Sequence, residues 1–236
     1  MQKELVLTPI GVIHTPYTYR YAAPRQPRAD DRSAEGLVVL NKGMNFEQAL
    51  DDLAGMEKIW LVYQFDRNPN WNPKVQTPRG KGKRGVFATR SPHRPNPIGL
   101  SLVDLLEVKG LELRVGNVDL LDGTPILDIK PYLPYAEAFP NAKAGWLDEI
   151  PENIFEVEWD AKTLEETQAI EKREGVDLIL HAERVLSTDP EPHAYRRIKK
   201  AEDGSFIFAH KYWRLYFRLE GNKISITGVS DAREEN

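Results

Sequence analysis

Apolar and polar positions alternate with a period of two through much of the first 130 residues. Residues 37–40, 58–65 (KIWLVYQF), 86–88, 102–108 and 111–119 (LELRVGNVD) are rich in Val, Leu and aromatics and read as strands. Asp122-Gly123 marks a tight turn, after which Thr124-Pro125 starts a further extended piece. One helix interrupts the strands: Phe46, Ala49, Leu50 and Leu53 share a face at helical spacing, with Asn45 as N-cap and Gly55 as stop. So many strands with so little helix cannot build a doubly wound parallel sheet. A closed or nearly closed antiparallel barrel, which leaves no free edge, is the expected solution.

The pattern changes after Tyr132. LPYAEAFPNAKAGWLDEIPEN holds three prolines and no clean period, and reads as a surface linker. Thr163 with Glu166 forms a capping-box signature ahead of a helix ending near Gly175. Leu178, Ala182, Val185 and Leu186 suggest a second helix, closed by Thr188-Asp189-Pro190. Residues 206–209, 212–219 and 223–228 look like strands, the last two joined across Gly221-Asn222. The expectation is a mainly β chain of two domains: a β-barrel over 1–145 and a smaller α+β domain over 146–236.

Composition narrows the class. With 41% hydrophobic and 29% charged residues, the 236-residue chain has the make-up of a soluble globular protein. No run approaches the ~18 apolar residues of a membrane helix, so no membrane partner is expected. The start MQKELVLTPIG lacks a signal-peptide pattern. The absence of cysteine excludes disulfides and thiolate zinc sites and fits a reducing compartment, so a cytoplasmic protein is expected.

The net charge of −4 argues against a general nucleic-acid coat, but its distribution alters the picture. Between Asp66 and Asp104 there is no acid, while Arg67, Lys74, Arg79, Lys81, Lys83, Arg84, Arg90 and Arg94 all fall there, with His93. Trp71 and His93 add stacking surfaces, so an anionic partner is expected.

Two turns carry the candidate chemistry. In ATRSPHRPNPIGLS, Pro92, Pro95 and Pro97 fix their own φ and bias their predecessors toward extended backbone. The loop is therefore preorganised, and Arg90 and Arg94 can fork onto a carboxylate or phosphate. A rigid barrel corner with incidental arginines is the plain alternative. In DLLDGTPILDIKPY, Asp119, Asp122 and Asp128 lie close along the chain with Lys130; such acids can accept ribose hydroxyls or an amine proton, or can simply be solvated turn residues. Other chemistries find less support. Gly80, Gly82 and Gly85 match the letters of a dinucleotide fingerprint but lie between a Pro/Asn-rich loop and strand-like GVFATR. The five histidines have no metal-ligand spacing, so no metal is expected.

GVFATRSPHRPNPIGLSLV and DLLDGTPILDIKPYLPYAE, together with IGVIHTPYTYRYAAPRQP and DPEPHAYRR, resemble the TsaA-like, or TrmO, family of tRNA methyltransferases over nearly the whole chain. The resemblance implies a single β-barrel methyltransferase domain with a smaller C-terminal domain, often dimeric. It implies methylation of the exocyclic nitrogen of N6-threonylcarbamoyladenosine at tRNA position 37, with S-adenosylmethionine as donor. Carried over by position, it places the donor on Pro24, Arg25, Gln26, Asp66, Arg67, Arg90, Leu120, Asp122, Gly123, Thr124 and Pro125. Asp66-Arg67 stand where one branch of the family has a His-Gln pair. Asp128 is the carboxylate expected to take up the proton from the accepting nitrogen. Arg94 or Lys130 is expected to pair the threonylcarbamoyl carboxylate. Arg79, Lys81, Lys83 and Arg84, with His93 nearby, are expected to hold phosphates around the anticodon loop. The same fold acting on another acceptor, and a non-catalytic RNA-binding module, are the competing readings.

Overall fold

Six antiparallel strands close into a barrel in the order β1-β2-β7-β6-β3-β8. The computed structural model describes residues 5–19, 23–24, 34–68, 70–77, 82–150, 155–188, 190–192 and 198–234. The elements of the first unit run β1 (Gly11–His14), β2 (Gly36–Leu40), α1 (Phe46–Ala49), β3 (Lys58–Gln64), β4 (Lys74–Gln76), β5 (Lys83–Gly85), β6 (Ile98–Lys109), β7 (Glu112–Gly116), β8 (Thr124–Pro131) and α2 (Pro134–Glu137). The period-two pattern works as a barrel wall requires. Ile59, Leu61 and Tyr63 of β3 point inward to meet Ile13, Val38, Val103, Leu113, Val115 and Ile126. Each such aliphatic, fully removed from water, contributes about 1.5–3 kcal/mol. Lys58, Trp60, Val62 and Gln64 alternate with them on the outer face, opposite Asp104, Leu102, Leu100 and Ile98 of β6.

Three local expectations are corrected. Residues 86–88 form a 3-10 turn (Val86–Ala88), not a strand; the extended pieces here are β4 and β5, three residues each, too short and too polar to leave a period. The predicted helix shrinks to the single turn α1. Asn45 adopts left-handed backbone (φ 58°) and bonds Gln48 through its side chain, leaving the helix amides uncapped. Phe46, Leu50 and Leu53 still pack on the barrel core. The segment after Tyr132 carries α2 and a 3-10 turn, Gly145–Leu147.

Packing divides the chain into Met1–Lys143 and Ala144–Asn236. The second unit runs β9 (Glu156–Trp159), α3 (Ala161–Glu174), α4 (Ile179–Leu186), β10 (Ile198–Lys200), β11 (Phe206–His210), β12 (Trp213–Glu220) and β13 (Lys223–Asp231), with sheet order β10-β11-β12-β13-β9 and β9 parallel to β13. Asp160, not Thr163, caps α3: its carboxylate accepts the Thr163 amide at 3.1 Å, while Thr163 is buried one turn inside. Gly175, at φ 63°, ends the helix as expected.

The α4 face carries a titratable contact. His181 stacks on Phe208 and lies 4.3 Å, ring to ring, from His210. Burial, then the charges of His210, Arg184 and Lys211, push its pKa down to about 3. A folded pKa below the ordinary 6.5 means stability is complete above 6.5 and lost as pH falls toward 3. Protection factors of the α4 amides, taken relative to the intrinsic exchange rate at each pH, should therefore fall between pH 7 and 4. His181→Phe, which keeps the stacking without the charge, should flatten that dependence.

Candidate active site

The turn after β7 is bonded on several sides. The Thr15 amide donates to Asp122 Oδ1 at 3.1 Å, and His14 Nδ1 lies 3.3 Å from the same oxygen. Thr15 Oγ1 donates to the Leu120 carbonyl at 3.0 Å, and the Asp122 and Gly123 amides donate to the carbonyls of Tyr17 and Ile13. Arg67 Nη2 donates to the Asp122 carbonyl at 2.5 Å, which brings the exposed Asp66-Arg67 end of β3 to the turn. Gly123 sits at φ 77°, a backbone that L side chains rarely adopt. Thr124 and Pro125 then enter the β1 ladder opposite Ile13 and Val12. The Leu120 side chain is buried in the core, so only its backbone is available to a ligand. Pro24 is half-buried; Arg25 and Gln26 lie outside the described residues.

Beside this turn the barrel holds a polar chain. Ser101 Oγ donates to Asp119 Oδ1 at 2.6 Å and lies 3.3 Å from the Tyr63 hydroxyl. Tyr63 lies flat across Gly99, its register partner, where a Cβ would come within 2.2 Å of the ring. Burial raises the Asp119 pKa to about 6, against the Ser101 hydrogen bond, its own amide and the Arg90 charge, which lower it. Burial, and then Asp119, push the Tyr63 phenol above its ordinary range, while Ser101 and Arg90 act the other way. Arg90 itself is exposed. Ser101 and Tyr63 were not among the expected site residues. Their signal was present in the sequence, since both are polar groups at inward positions of otherwise apolar strands.

Asp128 belongs elsewhere. Ile126 points inward, and strict alternation would turn Asp128 inward too. A β-bulge intervenes: Tyr63 pairs with Ile126 but Val62 pairs with Asp128, so one extra residue flips the alternation. Asp128 therefore stands on the outer face with Val62, in a 2.8 Å ion pair with Lys130, which lies opposite Trp60. The structure does not bring either residue to the Asp119 cluster.

The proline loop is rigid and internally bonded. Arg94 and Ile98 amides close three-residue turns onto the Pro92 and Asn96 carbonyls. Arg94 Nη1 donates to the carbonyls of Thr89 (2.8 Å) and Val86 (3.2 Å), so this arginine braces the loop rather than waiting for a ligand. His93 Nδ1 lies 3.3 Å from the Asn70 carbonyl, tying the loop to the approach to β4. On the β4–β5 hairpin, Lys83 lies opposite Gln76 on the exposed face that Lys74 shares, whereas Arg84 lies opposite buried Val75. Lys74 and Lys83 are the cations of that face; Arg79 and Lys81 lie outside the described residues. Trp71 and Phe87 are exposed nearby in sequence.

A family model described as tRNA-methyltransferase O N-terminal domain matches residues 12–138, which contain all of these features. The chain belongs to the tRNA-methyltransferase O family. An Escherichia coli (strain K12) protein named tRNA (adenine(37)-N6)-methyltransferase is 39% identical over 217 residues, 87% of this chain and 91% of that one. A Pseudomonas aeruginosa protein named putative S-adenosylmethionine-dependent methyltransferase RcsF is 38% identical over 81% of this chain and 83% of its own length. The crystal structure of TrmO from Pseudomonas aeruginosa superposes with a TM-score of 0.68 at 29% identity, covering 97% of this chain and 99% of that one. The mainly β architecture with its six-stranded barrel is thus that of the TrmO family.

Proposed function

We propose that this chain is an S-adenosylmethionine-dependent tRNA methyltransferase acting on the exocyclic N6 of N6-threonylcarbamoyladenosine at position 37. The observation that carries the reading is the donor set at one barrel end. Asp66, Asp119 and Asp122 stand among Arg67 and Arg90 around a turn locked by Thr15, Tyr17, Ile13 and Arg67. That mixture suits a ligand bearing ribose hydroxyls, an ammonium and a carboxylate, and a preorganised turn loses little entropy on binding it. Pro24, Arg25, Gln26, Asp66, Arg67, Arg90, the Leu120 backbone and the Asp122–Pro125 turn are the residues we assign to the donor. When bound, the donor supplies a methyl group already activated toward nucleophiles. The chain's part is to align acceptor and donor and to exclude water. Asp128, on the outer face, is not carried forward as proton acceptor.

The cationic hairpin face supports tRNA as partner, with Trp71 and Phe87 offering stacking surfaces. Lys74→Glu with Lys83→Glu should weaken tRNA binding about tenfold at low salt and flatten its salt dependence, measured by filter binding. Unchanged binding would remove the hairpin from the interface. A homodimer in the cytoplasm completes the proposal. The outer strip of exposed Ile98 and Leu100 beside Val62 is the kind of surface that self-association covers. Calorimetry with S-adenosylmethionine tests the assignment against a non-catalytic RNA-binding module: the enzyme reading expects one donor per chain, and tRNA binding without donor affinity overturns it.

A further inference from the structure

Arg90 and Asp119 feel one another's charge, yet they do not close into an ion pair. Among the described residues Arg90 makes no hydrogen bond or ion pair, although an exposed guanidinium beside a carboxylate ordinarily swings onto it. Asp119 is held back by the short bond from Ser101, which is buried in β6. Ser101 is in turn backed by the Tyr63 hydroxyl from β3, and Tyr63 is fixed over Gly99. Asp119 keeps part of its surface accessible. The result is a separated pair of opposite charges at the edge of the locked 120–124 turn.

We propose that Asp119 and Arg90 together capture the amino-acid end of the methyl donor, the carboxylate of Asp119 taking the α-ammonium and the guanidinium of Arg90 the α-carboxylate. The inference rests on the donor-pocket reading above and gives Asp119, which that reading assigns no contact, a defined role. An α-amino acid presents both charges a few bonds apart, so it spans a gap that a single ion would leave half satisfied. It also follows that binding is gated by protonation. The groups facing the Asp119 carboxylate are Ser101 from β6, Tyr63 from β3 and Arg90 from the proline loop. Burial holds the Tyr63 phenol neutral, so Asp119 is the group of this cluster that changes state near pH 6.

The test uses two ligands that differ only at this end. S-adenosylhomocysteine carries the amino acid; 5′-methylthioadenosine lacks it and keeps the nucleoside. Neither the ammonium nor the carboxylate of homocysteine titrates between pH 5 and 7.5, and the adenine is common to both. Calorimetry on the full chain should find S-adenosylhomocysteine affinity rising up to about tenfold from pH 5 to 7.5. Methylthioadenosine should change less than twofold. In Asp119→Asn, S-adenosylhomocysteine affinity at pH 7.5 should fall about tenfold and lose its pH dependence, with methylthioadenosine binding retained. That retention also reports that the variant is folded. A flat wild-type profile, wild-type affinity in Asp119→Asn, or equal loss of both ligands would each overturn the proposal. Failure of the wild-type chain to bind either ligand would instead overturn the donor pocket itself, and this inference with it.

Discussion

Arg90→Ala is expected to lower affinity for S-adenosylmethionine ten- to a hundredfold at pH 7.5 while leaving thermal stability nearly unchanged. The magnitude follows from the loss of charge-assisted hydrogen bonds to an anionic group, worth about 1.5–3 kcal/mol. The absence of a stability effect follows from the surroundings. Arg90 is exposed and bonds to none of the described residues, so truncation orphans no buried partner. One secondary effect should accompany it. The Arg90 charge lowers the proton affinity of Asp119, so its removal should move the Asp119 titration upward from about 6. Calorimetry reads the first effect and a pH series reads the second. Undiminished affinity would take Arg90 out of the pocket.

Gly99→Ala should do the opposite, damaging the fold before the ligand contacts. A Cβ at this position would lie 2.2 and 2.3 Å from ring carbons of Tyr63. The ring cannot step aside, because it is buried and meets Phe65 edge-on at 5.1 Å. Forcing a methyl into such a contact shifts the aromatic or the strand and costs about 3 kcal/mol, several degrees in Tm for a domain of this size. Displacing Tyr63 also removes the backing from Ser101, so Asp119 should lose its fixed position. Gly99→Ala combined with Tyr63→Leu should recover part of the lost stability, since the clash is specific to the ring. Thermal melts decide this; equal Tm for wild type and Gly99→Ala would mean that Tyr63 does not occupy that place.

Legibility in the sequence followed the physics of each element. The strands around 37–40 and 58–65 were readable because a barrel wall has one dry face and one wet face, which imposes a strict two-residue period. β4 and β5 were not, since three residues, with Val75 the one apolar side chain between the two strands, are too few to show a period. The α3 cap was misplaced because Asp160 and Thr163 are both good capping residues, and only backbone geometry tells which one is outside the helix. At the site, proline spacing in ATRSPHRPNPIGLS correctly implied a stiff loop, but it could not reveal that Arg94 is spent on bracing that loop. That Asp128 stands on the outer face was not readable, for a definable reason. A one-residue bulge in β8 reverses which side chains face inward, and no local sequence feature marks it. Burial, which distinguishes the two aspartates, arises from contacts with β3 and β6 and is non-local.

The most direct test gives the full chain methyl-labelled S-adenosylmethionine with tRNA whose position 37 carries, or lacks, the threonylcarbamoyl group, and locates the label by nucleoside analysis. Label on N6 of adenosine 37 in the threonylcarbamoylated tRNA alone is the expected result. Label in the unmodified tRNA, or in neither, would contradict the account.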